Sequence, residues 1–165
     1  MKKFNLDFFK IYEDLESLNT VLDNLGTQKK IVYTYGVWDL FHPGHSILLS
    51  RARELGDFLI VGTVSDKPVR KLKGEDRPVQ SQNDRIVTVS SLRFVDAAVF
   101  QSEYDPSDIL QSLSRVDVLT KGDDWDYIPG TETIERLGGR LILLPYSPSF
   151  STSKLVEKVK SNNKK

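Results

Sequence analysis

Tyr33-Thr34-Tyr35-Gly36-Val37-Trp38-Asp39-Leu40-Phe41-His42-Pro43-Gly44-His45 is the stretch on which the fold of this chain turns. Ile31 to Tyr35 is a short apolar and β-favouring run that predicts a strand. Pro43 and Gly44 suit a turn that feeds a helix, and the residues from His45 to Leu55 continue as that helix. A strand, a turn and a helix in direct succession make the opening of a βαβ unit.

The same alternation continues towards the C-terminus. Strands are expected at 58–64, 95–100, 116–120 and 141–144, and helices at 83–92, 107–113, 131–137 and 151–159. Most of the strands are unbroken apolar runs, the pattern of a parallel sheet covered by helices on both faces. The expectation is an α/β fold: a Rossmann-like, doubly wound, five-stranded parallel sheet. Ligands of such sheets bind beyond the carboxyl ends of the strands, which directs attention to the loops 35–45, 64–82, 120–130 and 145–153.

Upstream, Phe4, Phe8, Ile11, Leu15, Leu18, Leu22 and Leu25 recur every three or four residues and predict one amphipathic helix, with Gly26 as its C-cap. Two readings of that stripe stand: a helix docked on its own domain, or a dimer seam. The organisation expected is an N-terminal helix over 1–28, a single domain over 29–160 and a polar tail over 161–165.

The composition narrows the classes further. The 165 residues carry 23 Lys and Arg against 23 Asp and Glu, and no cysteine. Zero net charge argues against a dedicated nucleic-acid or anionic-membrane binder. The lack of cysteine excludes disulfides, thiolate catalysis and Cys-based metal sites. No apolar run reaches membrane-spanning length and no signal-peptide pattern opens the chain, so a cytoplasmic location is expected.

His42 and His45 are the chain's two histidines, and both fall in the first binding-side loop. At a helix start, free N–H groups and the positive end of the helix dipole favour a phosphate, and two imidazoles can donate to its oxygens. Gly44 would let the backbone approach closely. A metal site is disfavoured, because no third His or Cys is present. Arg70, Lys71, Lys73, Arg77 and Arg85 concentrate cations after the second strand. They read as a clamp on a triphosphate, on a loop around Gly74 that closes over substrate. In Lys121-Gly122-Asp123-Asp124-Trp125 the glycine permits a tight turn. A carboxylate there suits a ribose hydroxyl or base amine, and Trp125 is either a stacking platform or a core residue. Asp39 is placed to help hold Mg2+. Ser151, Thr152 and Ser153 open the last helix as capping hydroxyls and as an anion site.

The stretch Tyr33 to His45 resembles the GxFDxxHxGH signature of the cytidylyltransferase-like nucleotidyltransferases, with Trp38 in place of the usual Phe. The resemblance runs from about residue 10 to 158. It passes through Leu55 to Gly62, Val64-Ser65-Asp66, the Lys71 to Val79 loop with Asp84-Arg85, Lys121 to Asp124, and Ser151 to Ser153. It implies an enzyme that joins a nucleotide to a phosphorylated small molecule and releases pyrophosphate. It also implies a homodimer; Mg2+ is expected as cofactor with the phosphates, and no nucleic-acid or membrane partner is expected.

Carried over residue by residue, it places His42, His45, Lys73 and Arg85 in catalysis. Thr34, Tyr35, Gly36, Gly44, Lys121, Gly122, Asp123, Ser151, Thr152 and Ser153 fall on the nucleotide. Asp39, Arg77 and Trp125 fall on substrate or phosphate, with Asp39 also on the metal. Within the family the chain looks most like the heptose 1-phosphate adenylyltransferases, through its leucine-rich N-terminal helix, its Lys71-Leu72-Lys73-Gly74 and Arg77-Pro78-Val79 loop, and the passage from Ile128-Pro129-Gly130 to Pro145. Tyr146 and Ser149 stand where the CTP-dependent branch commonly has arginine and glycine, which favours ATP and a sugar 1-phosphate. The alternative is a CTP-dependent enzyme for glycerol phosphate or another polyol or amino-alcohol phosphate, supported by Asp39-Leu40-Phe41 and Asp123-Asp124-Trp125.

Overall fold

A computed structural model describes residues 10–145 together with Val156, Val159 and Ser161. In chain order the elements are β1 (Ile11–Tyr12), α1 (Leu15–Asn24), β2 (Ile31–Gly36), α2 (Pro43–Glu54), β3 (Phe58–Val64), α3 (Asp66–Lys73), α4 (Gln82–Ser90), β4 (Ala97–Gln101), α5 (Ser107–Ser112), β5 (Val118–Gly122), α6 (Thr131–Arg136) and β6 (Arg140–Leu144). The sheet is parallel throughout, with strand order β1-β4-β3-β2-β5-β6. The doubly wound α/β class therefore stands, with six strands rather than five.

Alternation within each central strand explains how both faces are filled. Along β2, Ile31, Tyr33 and Tyr35 join a core with Leu18 and Leu22 of α1, Ile109 and Leu110 of α5 and Ile134 of α6. Val32 points the other way, into a core with Leu49 and Ala52 of α2 and Val89 of α4. From β2 the chain winds outwards through β3 and β4, then returns to the other flank of β2 as β5. The switch point thus lies between the carboxyl ends of β2 and β5.

Two stretches depart from the sequence expectation. Phe4 and Phe8 lie outside the described residues, and the amphipathic stripe is not one helix from Ile11 onwards. Ile11 and Tyr12 instead pair with Ala98 and Val99 of β4, covering an otherwise open strand edge. The helix starts only after Asp14, whose carboxylate accepts from the Ser17 backbone N–H at 2.7 Å and caps the first turn. Leu18 and Leu22 are 0% and 2% exposed in the chain's own core. Each such leucine contributes about 1.5–3 kcal/mol by burial, and neither is left over for a dimer seam.

The second departure is α3. A Pro and a run of charges disguise it as a loop, yet Pro68 sits in the first helical turn, where a missing N–H costs nothing. Arg70, Lys71 and Lys73 fall in its last turn, where cations suit the helix dipole. The region expected to be a closing loop is thus half helix, with Lys73 at its end.

Candidate active site

The loop after β2 is held in an unusual backbone shape. Trp38 and Leu40 both take positive φ, 58° and 46°, a conformation costly for bulky side chains. The indole of Trp38 folds back over Gly36, where a Cβ would stand 2.9 Å from the ring, and its Nε1 donates to the Gly62 carbonyl at 2.9 Å. Gly36 therefore makes room for Trp38 as well as lining the cleft.

Asp39, between the two strained residues, is 2% exposed. Its carboxylate accepts from Arg77 Nε at 3.1 Å, pairs with Arg77 Nη2 at 2.9 Å, and accepts from the backbone N–H groups of Val79 and Gln80. The Gln80 side chain in turn accepts from the Leu40 N–H at 2.8 Å. The segment 77–80 is thus pinned to the loop after β2, and the expectation of one freely closing basic loop does not hold for it.

Arg85 is a further correction. Its side chain is 0% exposed and outside the cleft. It donates to the carbonyls of Gln80 at 3.1 Å, Val64 at 2.8 Å and Val37, and to Asp66 Oδ1 at 2.6 Å. The planar fork of the guanidinium suits such a multiple contact. Arg85 ties the ends of β2 and β3 to α4 instead of reaching a phosphate.

These anchors shape a cleft of about 330 Å³ at the switch point. One wall is Gly44, His45, Ile47 and Leu48 of α2, with His42 at its N-cap. A second is Lys121, Gly122, Asp124 and Trp125 at the end of β5, and a third is Lys73, Arg77 and Tyr104. Tyr35, Gly36 and Asp39 form the floor with Trp38. Thr34 does not line the cleft: it is 0% exposed inside the sheet. Asp123 sits one residue beyond β5, its N–H on the Leu144 carbonyl, and it is Asp124 that lines the cleft. The expectations on Ser151, Thr152, Ser153, Tyr146 and Ser149 fall outside the described residues.

The two imidazoles stack at 3.8 Å between centroids and 19° between planes. Trp38 meets the His45 ring edge-on at 5.4 Å, and Phe41 lies 5.3 Å away. Burial, then the neighbouring His42 and Lys121, push His45 down to about 3, and burial also lowers His42. Both rings are therefore mainly uncharged at neutral pH, each with a single N–H to donate. Nδ1 of each is buried without a hydrogen-bond partner among the described residues.

The positive charge comes from the lysines and Arg77. Lys121 is 9% exposed, donates to the Tyr35 carbonyl at 2.6 Å, and lies over the Tyr35 ring at 4.2 Å and the Trp125 ring at 5.4 Å. Burial lowers it to about 8. Lys73 is also lowered, by burial and then by Arg77. Trp125 is 41% exposed, which decides between its two readings: it stands at the mouth and is no core residue.

Among the described residues the donor set does not fit a protein-held Mg2+. Asp39 is turned onto Arg77 and two backbone N–H groups. Among the described residues no group of three or more His, Asp or Glu side chains comes together to hold a metal. The expectation of Asp39 as metal ligand is corrected accordingly. No helix among the described residues is long and apolar enough to cross a membrane.

Sequence reading missed Tyr104 and Gln80. Neither sits in a motif, and each reaches the site through tertiary contacts from another loop.

A parallel sheet whose switch point carries a His-x-Gly-His helix start facing two lysines and an arginine defines a Rossmann-like nucleotidyltransferase. The model of the cytidylyltransferase-like family matches residues 33–158, and the chain belongs to that family. It is 37% identical over 162 residues to bifunctional protein HldE of Campylobacter curvus, covering 97% of this chain and 33% of that protein. With bifunctional protein HldE of Campylobacter jejuni subsp. doylei it shares 39% over 163 residues, 97% of this chain and 34% of the relative. The chain thus spans about a third of the length of these curated relatives. Among solved structures, the lipopolysaccharide core biosynthesis protein from Thermoplasma volcanium GSS1 aligns with TM-score 0.60 at 28% identity, covering 72% of this chain and 97% of the other. Pantoate-beta-alanine ligase from Francisella tularensis aligns with TM-score 0.60 at 16% identity, over 86% of this chain and 69% of that one, a likeness of fold.

Proposed function

We propose that this nucleotidyltransferase moves a nucleotidyl group from an NTP, ATP by preference, to a sugar 1-phosphate. The observation that carries the reading is the stacked His42–His45 pair at the start of α2, in one cleft with Lys73, Arg77 and Lys121. The likeness to a lipopolysaccharide core biosynthesis protein supports a sugar phosphate as acceptor.

A phosphomonoester has its second pKa near ~6 and is largely dianionic at neutral pH, so its oxygen needs no base. That oxygen attacks the α-phosphorus in line. A new P–O bond forms, the bond to the β-phosphate bridging oxygen breaks, and the electron pair leaves with pyrophosphate. The imidazole N–H groups of His42 and His45 donate to the α-phosphate oxygens as charge builds there. Lys73, Arg77 and Lys121 neutralise the charge of the triphosphate and of the acceptor's phosphate. Mg2+ belongs to this reading as part of the substrate, arriving on the triphosphate.

Pyrophosphate release with Mg2+, measured for ATP, CTP, GTP and UTP against sugar 1-phosphates and polyol phosphates, tests this directly. The expected result is release with ATP and a sugar 1-phosphate. Release only with CTP and a polyol phosphate transfers the reading to the cytidylyltransferase alternative, and nucleotide binding without release in any pairing overturns it.

Lys121 adds a pH dependence. Its ammonium is charged below about 8 and neutral above. As pH rises through that value the cleft loses a cation, so the KM for nucleotide should rise several-fold between pH 7 and 9. Lys121→Arg, charged throughout that range, should remove the step. A KM that stays flat in the wild type would show that Lys121 does not face the nucleotide's charge.

A further inference from the structure

Tyr104 has no place in the motifs read from the sequence, yet it lines the same cleft. Its hydroxyl is buried and has no hydrogen-bond partner among the described residues. Leaving such a group unpaired is unfavourable, so its position calls for a ligand that answers it.

The backbone behind it is held by a buried relay. Tyr33 donates to Gln101 Oε1 at 2.8 Å, from a ring that is 0% exposed. The Gln101 amide donates onward to the carbonyls of Glu103 at 2.8 Å and Tyr104 at 3.1 Å. Gly62 clears the path: a Cβ there would stand 2.2 Å from the Tyr33 hydroxyl and 2.7 Å from Gln101 Oε1. Three strands, β2, β3 and β4, thus fix the turn that carries Tyr104.

The third wall of the cleft sets the chemistry. Tyr104 lines the cleft with Lys73 and Arg77, while Lys121 and Trp125 line it from the end of β5. Asp39 holds Arg77 by Nε and Nη2. Two cations lining the same cleft as an unanswered hydroxyl donor suit a phosphate group.

We infer that Tyr104, with Lys73 and Arg77, forms the subsite for the acceptor's phosphate, its hydroxyl donating to a phosphate oxygen. The inference deepens the nucleotidyl-transfer reading and rests on it for the word acceptor. In that arrangement the attacking phosphate lies on the β3–β4 side and the nucleotide on the β5 side, with the His pair between them. Tyr33 and Gln101 are positioning residues that act through Tyr104.

Tyr104→Phe keeps the ring and removes only the donor. Two readouts apply to it: KM values for NTP and acceptor in the productive pair from the panel, and calorimetric binding of inorganic phosphate to protein saturated with a non-hydrolysable NTP analogue. The expected result is a rise of about tenfold in acceptor KM and a similar loss of phosphate affinity, consistent with one lost bond to a charged group. The NTP KM and the thermal midpoint should stay at wild-type values. Tyr33→Phe should shift the same two quantities in the same direction by less. Unchanged phosphate affinity in Tyr104→Phe, or equal rises in both KM values, overturns the subsite. The phosphate titration reads it even where the panel yields no pyrophosphate, so failure of the subsite and failure of the nucleotidyl-transfer reading are told apart.

Discussion

Replacing His45 by alanine should lower kcat by roughly 10²–10³-fold with the fold intact, the loss typical of a preorganised donor to developing charge. The ring is fixed by stacking on His42 and by edge contact with Trp38, so its N–H is aimed before substrate arrives. The pH profile should accompany that loss with a second signature. Because burial, His42 and Lys121 hold His45 down to about 3, kcat in the wild type should show no step near the ordinary imidazole value of about 6.5. The same depression acts on stability. Below pH 6.5 the unfolded chain binds a proton that the folded chain refuses, so the His45 contribution is full above 6.5 and is lost as pH falls towards 3. Near-normal turnover in His45→Ala would remove the pair from the chemistry. A clear kinetic step at 6.5 in the wild type would mean that the rings work as imidazolium instead.

Replacing Arg85 by methionine should act on stability first. The substitution leaves Asp66 without its 2.6 Å partner and takes the donor from the carbonyls of Val37, Val64 and Gln80 in one stroke. Breaking a buried pair from one side costs about 3–5 kcal/mol, which for a chain of this size lowers Tm by about 6–20 °C. Arg85→Lys should recover little, since an ammonium cannot span four acceptors in a planar fork. Activity should fall because the loops after β2 and β3 lose their tie to α4, and the loss should follow the unfolded fraction on warming. A variant with wild-type Tm and a large drop in kcat at low temperature would overturn this assignment and return Arg85 to the phosphates.

These two residues show where a one-dimensional reading stops. His42 and His45 are legible because their setting is local: a strand end, a Pro-Gly turn and a helix start lie within a few residues of them. Arg85 and Asp39 stand out for the same reason, as charges in binding-side loops, but what each does there is not local. Their partners lie far along the chain. Asp39 meets Arg77 across 38 residues, and Arg85 meets Val37 across 48. Only the folded chain shows that each charge is answered by protein.

The N-terminal stripe failed in a related way. Its spacing is helical from Phe4 to Leu25, but spacing does not encode that the open edge of β4 competes for Ile11 and Tyr12, or that Asp14 caps the helix where it does. Helix α3 was hidden because Pro68 reads as a breaker unless its place in the first turn is known.

The sequence by itself determined the class of sheet, its winding and the loop that carries the His pair. Those follow from apolar runs of strand length, their alternation with helices and a glycine-bearing turn, all properties of neighbouring residues. The tertiary structure alone decided which charges face the cleft and which brace it, that Tyr104 stands in its wall, and that an edge strand precedes the first helix. Burial and partner choice depend on segments brought together by the sheet order β1-β4-β3-β2-β5-β6, and that proximity is not written in any local window.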